Sequence, residues 1–189
     1  SFDCPVSAIR ELRSVDDGGS TVHIEIDISK AKGLVYETAD NFGVLPRNDN
    51  ACVESVAESL GFDLDAVFSV KAAPNKEWHG APFPCPISVR DYLTRHCDLT
   101  SAPRRSDLKL LAAYAKDTTD KKALIRMSSE EGKKEYREKV VDRFVGIVDL
   151  LKLCPSITIP LSHFVSASTC RRLLPRYYTI SSSSSSYPH

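Results

Sequence analysis

The stretch RYYTISSSSSS, residues 176–186, decides the fold, because it places a β-strand at the far end of the chain. Its tyrosines, threonine and isoleucine favour extended structure. One short strand is not stable alone and needs a partner strand. The sequence predicts other strands only before residue 46, so both chain ends should join in one β domain, unless residues beyond 189 supply the partner. The predicted fold class is therefore α+β, with a helical block inserted into a β domain.

Three segments near the start of the chain carry the other strand signals. Residues 21–29, TVHIEIDIS, alternate strictly between apolar and polar side chains, which predicts a half-buried strand with its valine and isoleucines on one face. The preceding DDGGS is typical of a turn, and residues 6–14 are the predicted hairpin partner. Residues 40–46, DNFGVLP, predict a further short strand.

Helical signals dominate from residue 46 onwards. Apolar side chains recur every three or four positions, which is typical of helices that bury one face. We expect the first helix to stop at Gly61, since glycine readily ends helices. The residues predicted to cap the helix starts are Asn50, Ser88 and Ser106.

A long helix is predicted from about Ser129 to Pro155. Val140 and Phe144 are expected on its apolar face. Its many charged residues are interpreted as a solvated face with ion pairs one turn apart. A proline at position 160 suits the first turn of another short helix.

The composition argues against some classes of function. The 25 lysines and arginines balance the 25 aspartates and glutamates, so there is no excess of positive charge for nucleic acid or an anionic membrane surface. No apolar run reaches the roughly 18 residues of a membrane-spanning helix. The six cysteines match no zinc spacing, and a chain of this size does not need disulfides. We therefore expect free, reduced thiols in a cytosol-facing protein.

Two other local patterns are weaker candidates for chemistry. His96 and Cys97 are adjacent, but neighbours on a helix point about 100° apart, which favours a packed cysteine beside a polar histidine over a nucleophile pair. Trp78 and His79 lie in a proline-rich loop and could contact a ligand. A tryptophan that covers a loop or a partner surface is the simpler interpretation.

The strand at the chain end carries the motif Arg176-x-Tyr178-Thr179-x-x-Ser182. Residues two positions apart in a strand point to the same face, so Arg176 and Tyr178 should project together. A guanidinium can form forked, charge-assisted hydrogen bonds with a pyrophosphate. A phenol ring can lie on an isoalloxazine ring, and the hydroxyls of Thr179 and Ser182 can bond the edge of the flavin. The motif therefore predicts a site for a flavin dinucleotide.

Longer stretches extend this interpretation across nearly the whole chain. The chain resembles the diflavin reductases in VHIEIDIS, YETADNFGVLPRND, PFPCPISVRDYLTRHCDLTSAPRRSDLKLLAAYA, LCPS and LLPRYYTISSSS, which follow one another in family order. The resemblance implies an antiparallel flavin-reductase-type β-barrel, partial in this chain, interrupted by a mainly helical connecting domain. Residues 1–45 would be the first part of the FAD-binding barrel and residues 46–172 the connecting domain. Residues 173–189 would be the truncated start of the second part of the barrel.

The resemblance also implies a role for each residue of the motif. Arg176 would hold the FAD pyrophosphate, and Tyr178 would stack on the flavin with Tyr177 beside it. Thr179 stands where the family usually has serine, and it keeps the hydroxyl near the reactive flavin nitrogen. Arg10 matches an arginine that contacts the NADP dinucleotide in the family; the alternative is a solvent-facing arginine.

The resemblance implies an electron-transfer function. In the family, NADPH gives hydride to FAD, and single electrons pass through FMN to a haem protein. FAD would belong to this chain, whereas NADPH and FMN would bind to the NADPH-binding and FMN-binding domains of the full-length chain. The 189 residues alone are expected to be inactive, because half the barrel and both other domains are missing. The implied location faces the cytosol, and an endoplasmic-reticulum anchor on the full-length protein is left open.

A different class of function fits the same sequence. The helical block could be a docking scaffold, with the flavin motif degenerate or unused. The two tyrosines of the motif would then be plain core residues, and the serine run a tail. Binding of FAD separates this alternative from the reductase hypothesis.

Overall fold

The computed structural model describes residues 2–14, 18–71, 80–165 and 171–187, and in this part the chain is α+β. It separates into two compact units, a β unit of Ser1–Val44 with Tyr177–His189 and a helical unit of Leu45–Arg176. The strands are β1 Val6–Glu11, β2 Val22–Ile26, β3 Asn41–Val44, β4 Val67–Phe68, β5 Ile87–Ser88 and β6 Arg176–Thr179. The helices are α1 Asn50–Leu60, α2 Val89–Arg95, α3 Arg105–Ala112, α4 Thr118–Ser128, α5 Lys133–Tyr136, a π-helical segment Arg137–Val141, α6 Ile147–Leu153 and α7 Leu161–Val165.

Strands β1 and β2 form the predicted antiparallel hairpin. Ile9 stands opposite Ile24, and Arg10 opposite His23. The predicted burial of the apolar face is wrong for Val22 and Ile24, which are exposed together with Ile9. In the part of the β unit that the structure describes, no side chain covers this face. Residues 15–17 of the predicted turn lie outside the described residues.

Strand β6 pairs with β3, which confirms that the strand at the chain end finds its partner before residue 46. The backbone N–H of Ile180 donates to the carbonyl of Asp40, and the N–H of Ala39 donates to the carbonyl of Ile180. At the other end of the pair, the ring of Tyr177 lies against Gly43. Residue numbers thus increase along β3 as those of the facing residues in β6 decrease, so the two strands run antiparallel.

The hydrophobic core lies in the helical unit. Amphipathic helices bury their apolar faces against one another there, as their sequence period predicts. Among the described residues of the β unit, Ala31 is the one buried apolar residue. The largest fully buried side chains of the helical unit are Val53, Val56, Val89, Leu93, Leu99, Leu108, Leu111, Leu124, Leu150, Ile157, Ile159 and Phe164.

Two helix boundaries match the sequence and two differ. The hydroxyl of Ser88 accepts the N–H of Asp91 as the predicted cap of α2, and Gly61 ends α1 in the left-handed conformation, with φ of 67°. The cap of α1 is Asp49 rather than Asn50, because the Asp49 carboxylate accepts the N–H of Cys52. Ser106 does not cap α3 either.

Helix α3 begins one residue before Ser106, at Arg105. The Asp107 carboxylate reaches back and accepts the backbone N–H of Arg104, at 2.8 Å. Asp107 is buried, so this bond satisfies its charge inside the unit. The helix start is therefore set by an aspartate in the first turn rather than by the serine.

The long helix predicted from Ser129 to Pro155 is broken in two. Its first half ends with the π-helical segment, and the chain turns before α6 begins at Ile147. Phe144 has φ of 53° and is 83% exposed, so its expected place on the apolar face is wrong. Gly146 packs so closely on Leu99 that a β-carbon there would lie 2.6 Å from the Leu99 carbonyl oxygen. The backbone of Gly146 is extended, with ψ of −178°, so no straight helix runs through this position.

The cysteines depart in part from the prediction of free thiols. Cys97 is fully buried and disulfide-bonded, so the prediction is wrong for this residue. Four cysteines are free, as predicted, and Cys170 lies outside the described residues. Trp78 and His79 lie outside them as well. The free cysteines are Cys4, Cys52, Cys85 and Cys154.

Candidate functional site

Strand β6 presents the predicted motif at the surface. All four of its residues are exposed, and Tyr178 keeps 56% of its surface open to solvent. Strand alternation puts Arg176 and Tyr178 on one face. Tyr177 and Thr179 take the other face. The structure therefore brings together a cation and an open aromatic ring on one side of the strand.

The local sequence accounts for this strand. Pro175 fixes its own backbone angle and disfavours helix in the residue before it, which favours extended backbone just ahead of β6. Gly43 of the partner strand leaves room for the ring of Tyr177, because a β-carbon at that position would lie 3.2 Å from the ring. The Tyr177 ring therefore lies over β3, on the face opposite Tyr178.

The serine run forms a turn tied to a distant tyrosine. The N–H groups of Ser186 and Tyr187 donate to the carbonyl of Ser183. Tyr36 donates its hydroxyl proton to the Tyr187 carbonyl at 2.8 Å, and its hydroxyl lies 3.3 Å from that of Ser182. Sequence reasoning missed Tyr36, whose only signal was its place in the YETADNFG stretch. The half-buried Ser182 hydroxyl thus has a protein partner.

Arg10 lies in β1, opposite His23, and its side chain is exposed. An exposed arginine fits both a nucleotide contact and a plain surface residue. Its role therefore stays a prediction.

A cavity of about 520 Å³ opens in the helical unit beside the start of β6. We call it the arginine cavity, because Arg104, Arg171, Arg172 and Arg176 line it together with Asp98 and Ser101. Sequence reasoning found Arg176 but missed Arg172, since nothing in the local pattern of CRRLLPR marks one arginine over another.

The other sequence candidates do not form a catalytic pair. Cys97 is buried in a disulfide, so its sulfur is not an available nucleophile. Burial, followed by the positive charges of Arg172 and Arg95, holds the pKa of His96 below its ordinary value. In the described ranges, no group of three or more histidine, cysteine or acidic side chains could hold a metal ion. None of the helices in those ranges is long and apolar enough to cross a membrane.

The exposed motif fits a flavin dinucleotide. Among the described residues, no carboxylate forms an ion pair with Arg176, so its five N–H donors are open to an anion. The open ring of Tyr178 offers a flat surface on the same side of the strand. FAD contains both an anionic group, its pyrophosphate, and a planar aromatic group, its isoalloxazine ring.

The chain has clear relatives among known proteins. The model of the FAD binding domain family matches residues 1–189. The chain is 37% identical to the NADPH–cytochrome P450 reductase of Homo sapiens over 188 residues, which are 97% of this chain and 27% of the relative. For the same enzyme of Oryctolagus cuniculus the identity is 40% over 170 residues, 89% of this chain and 25% of the relative. For that of Drosophila melanogaster it is 36% over 189 residues, 99% of this chain and 27% of the relative. The chain thus spans about a quarter of the length of these relatives.

Proposed function

The chain belongs to the FAD binding domain family, and on that premise we propose that it is the FAD-binding and connecting segment of an NADPH–haemoprotein reductase. The family resemblance drawn from the quoted stretches is confirmed. When bound, FAD supplies the step from hydride to single electrons, which lets reducing equivalents from NADPH reach FMN and a haem-protein acceptor. The chain's own residues bind and orient it.

One observation carries this proposal: Arg176 and Tyr178 are both exposed in strand β6, where alternation puts them on one face. Arg176 holds the pyrophosphate through charge-assisted hydrogen bonds, each worth about 1.5–3 kcal/mol. Tyr178 stacks on the isoalloxazine ring, which adds about 0.5–1.5 kcal/mol beyond burial. Tyr177 stands beside it, supporting the strand. The family resemblance assigns the hydroxyl of Thr179 to the edge of the flavin, and strand alternation starts this side chain from the face opposite Tyr178.

Ser182 completes the proposed flavin-binding edge. Its half-buried hydroxyl is held by Tyr36 and keeps a second bonding direction for the cofactor. Arg10, exposed on β1, is proposed to contact the NADP dinucleotide. Both assignments follow the roles that the family resemblance implies.

We further propose that residues 1–45 and 173–189 belong to a flavin-reductase-type antiparallel barrel, and residues 46–172 to its helical connecting domain. The two compact units support this division, since the β unit is built from both ends of the chain. The uncovered apolar face of the β1–β2 hairpin supports the barrel, because further strands would bury it.

The proposed partners are the FMN-binding and NADPH-binding domains of the same full-length chain and a haem protein as electron acceptor. The proposed location faces the cytosol, with the full-length protein at the endoplasmic reticulum membrane. The 189 residues alone should not reduce cytochrome c with NADPH. Reduction by this segment alone contradicts the assignment of the other domains.

The test is a titration with FAD, followed by quenching of flavin fluorescence, on a protein that contains this segment and the rest of the barrel. Arg176→Gln should weaken binding about tenfold or more, because a charge-assisted bond is lost. Tyr178→Ala should weaken it severalfold, whereas Tyr178→Phe keeps the ring and most of the affinity. Arg90→Gln is the matched control, since Arg90 forms a surface ion pair with Asp65 at 3.6 Å and does not line the site. A protein that stays colourless after FAD and desalting refutes the proposal and favours the docking scaffold.

A further inference from the structure

The arginine cavity carries more positive charge than one pyrophosphate anchor requires. Arg172 and Arg176 both line it, and both side chains are exposed. Its volume of about 520 Å³ exceeds what one phosphate group fills. The sequence motif accounts for Arg176 alone, so the presence of Arg172 needs its own explanation.

Arg172 is held in place by its backbone and by its side chain. Its backbone forms an antiparallel bridge with Cys97, and the next residue, Leu173, donates its N–H to the His96 carbonyl at 3.2 Å. One Nη2 of the guanidinium donates to the Pro82 carbonyl at 3.0 Å. A guanidinium has five N–H donors, and within the described ranges the Pro82 carbonyl takes one of those of Arg172.

Two acidic residues at or near the arginine cavity, Asp107 and Asp98, form hydrogen bonds with groups other than Arg172. Asp107 takes the guanidinium of Arg104 in two hydrogen bonds of 3.1 Å, so the charge of Arg104 is largely balanced. One carboxylate oxygen of Asp98 accepts the backbone N–H groups of Thr100 and Ser101. In the ranges that the structure describes, no carboxylate forms an ion pair with Arg172.

Besides burial, the positive charge of Arg172 also lowers the pKa of a neighbouring side chain, His96. The pKa of His96 is lowered first by burial and next by Arg172, which is the largest contribution from any charge there. Arg172 and Arg176 therefore add two guanidiniums to the cavity wall, beside Arg171 and the carboxylate of Asp98.

We propose that Arg172 is a second pyrophosphate-binding residue, which acts with Arg176 so that the arginine cavity holds the pyrophosphate of FAD. Two guanidiniums match the two negative charges of a dinucleotide pyrophosphate, and each can bond it in forked geometry. This inference rests on the proposed function for the identity of the dinucleotide. The affinity of the cavity for inorganic pyrophosphate does not depend on that identity.

The first experiment is calorimetric titration of the full 189-residue chain with inorganic pyrophosphate. Arg172→Gln should weaken binding about tenfold, and Arg176→Gln by a similar factor. Arg172→Lys should keep part of the affinity, because the charge remains while the fork is lost. Arg90→Gln should bind like the wild type. Equal affinity of Arg172→Gln and the wild type overturns the inference.

The second experiment measures the pKa of His96 by NMR with and without saturating pyrophosphate. The anion should raise this pKa in the wild-type protein, since it compensates the charge of Arg172. A merely structural role for Arg172 predicts no such change. This measurement decides the question on its own if Arg172→Gln fails to fold, and an unchanged pKa overturns the inference.

Competition separates the possible sources of the pyrophosphate. FAD should displace inorganic pyrophosphate, and riboflavin, which lacks phosphate, should not. Displacement by NADPH but not by FAD overturns the assignment to FAD.

If Arg176→Gln loses FAD while Arg172→Gln binds FAD and pyrophosphate normally, the inference fails and the proposed function stands. If the chain binds pyrophosphate through Arg172 and the barrel-containing protein binds no FAD, the proposed function fails while the phosphate-binding role of Arg172 stands.

Discussion

The hydroxyl of Tyr36 lies 3.3 Å from the hydroxyl of Ser182, 146 residues further along the chain. The same Tyr36 hydroxyl donates to the backbone carbonyl of Tyr187 at 2.8 Å. One side chain from the first part of the chain therefore holds both ends of the serine turn. The proposed flavin-binding edge depends on this turn for its shape.

Tyr36→Phe should loosen the serine turn. The variant loses the hydroxyl contacts with the Tyr187 carbonyl and with Ser182. Taking about 1 kcal/mol for the bond to the carbonyl, the N–H of Tyr187 should exchange with solvent roughly fivefold faster. Hydrogen exchange measured by NMR checks this. Tyr187→Phe is the control, since it removes an exposed hydroxyl from the same turn and leaves the backbone carbonyl in place. Equal exchange rates in Tyr36→Phe and the wild type contradict the expected role of Tyr36.

The stability of the protein should fall as the pH drops from about 7.5 to 5.5. The folded protein holds the pKa of His96 below its usual 6.5, through burial and the charges of Arg172 and Arg95, against a smaller opposite effect of Asp91. The unfolded chain therefore binds the proton more readily, and acid favours unfolding. His96→Gln should flatten this part of the pH dependence in urea denaturation curves. A curve for His96→Gln that keeps the full slope between these pH values refutes the explanation.

Gly146→Ala should destabilise the helical unit by about 3 kcal/mol, at the upper end of overpacking effects. Its β-carbon would lie 2.6 Å from the Leu99 carbonyl oxygen and 2.8 Å from Thr100 backbone atoms, which cannot move aside like a flexible side chain. Gly61→Ala is the matched control. It has no atom within 4 Å of the new β-carbon, and only its left-handed φ of 67° costs about 1 kcal/mol. Urea midpoints that rank the two variants in the opposite order contradict the close packing of Gly146.

Glu11→Gln should fray the turn end of the β1–β2 hairpin. The carboxylate accepts the Ser20 hydroxyl and the backbone N–H groups of Arg13, Thr21 and Leu12, and these bonds lower its pKa to about 2. The stabilisation is present above the ordinary value of 4.5 and is lost as the pH falls towards 2.

Amide exchange in the hairpin between pH 5 and pH 2.5 measures this effect of Glu11. The wild type should lose protection over this range, and Glu11→Gln should start with low protection and change little. Glu25→Gln in the same hairpin is the control and should follow the wild type. Protection at Thr21 that is independent of pH in the wild type argues against the Glu11 contact.

Local sequence patterns predicted that most helices and strands exist. They failed where contacts between distant parts of the chain determine the structure. Alternation predicted the β1–β2 hairpin, and the cap residues Ser88 and Gly61 marked their helix ends correctly. The break before α6 was missed, because the helical period continues through Phe144, whereas in the structure Phe144 is left-handed and Gly146 is extended and lies close to Leu99. A contact between positions 47 residues apart leaves no trace in a local pattern.

The candidate site also contains residues that the sequence predicted and residues that it missed. The spacing of Arg176 and Tyr178 is a property of the strand alone, and strand geometry suffices to place both on one face. Arg172 and Tyr36 could not be found in this manner. Their positions depend on a bridge to Cys97 and on the return of the chain end to residue 36.

The sequence by itself determined the kinds of elements, their order and the family, because these follow from local propensities and from residue motifs that lie close together in the chain. Only the tertiary structure decided which distant groups meet: the hydroxyl of Tyr36 with the serine turn, Arg104 with Arg172 at one cavity, and Gly146 with the backbone of Leu99. Such contacts arise from the joint packing of many side chains, and their energies depend on distances that no single stretch of sequence specifies.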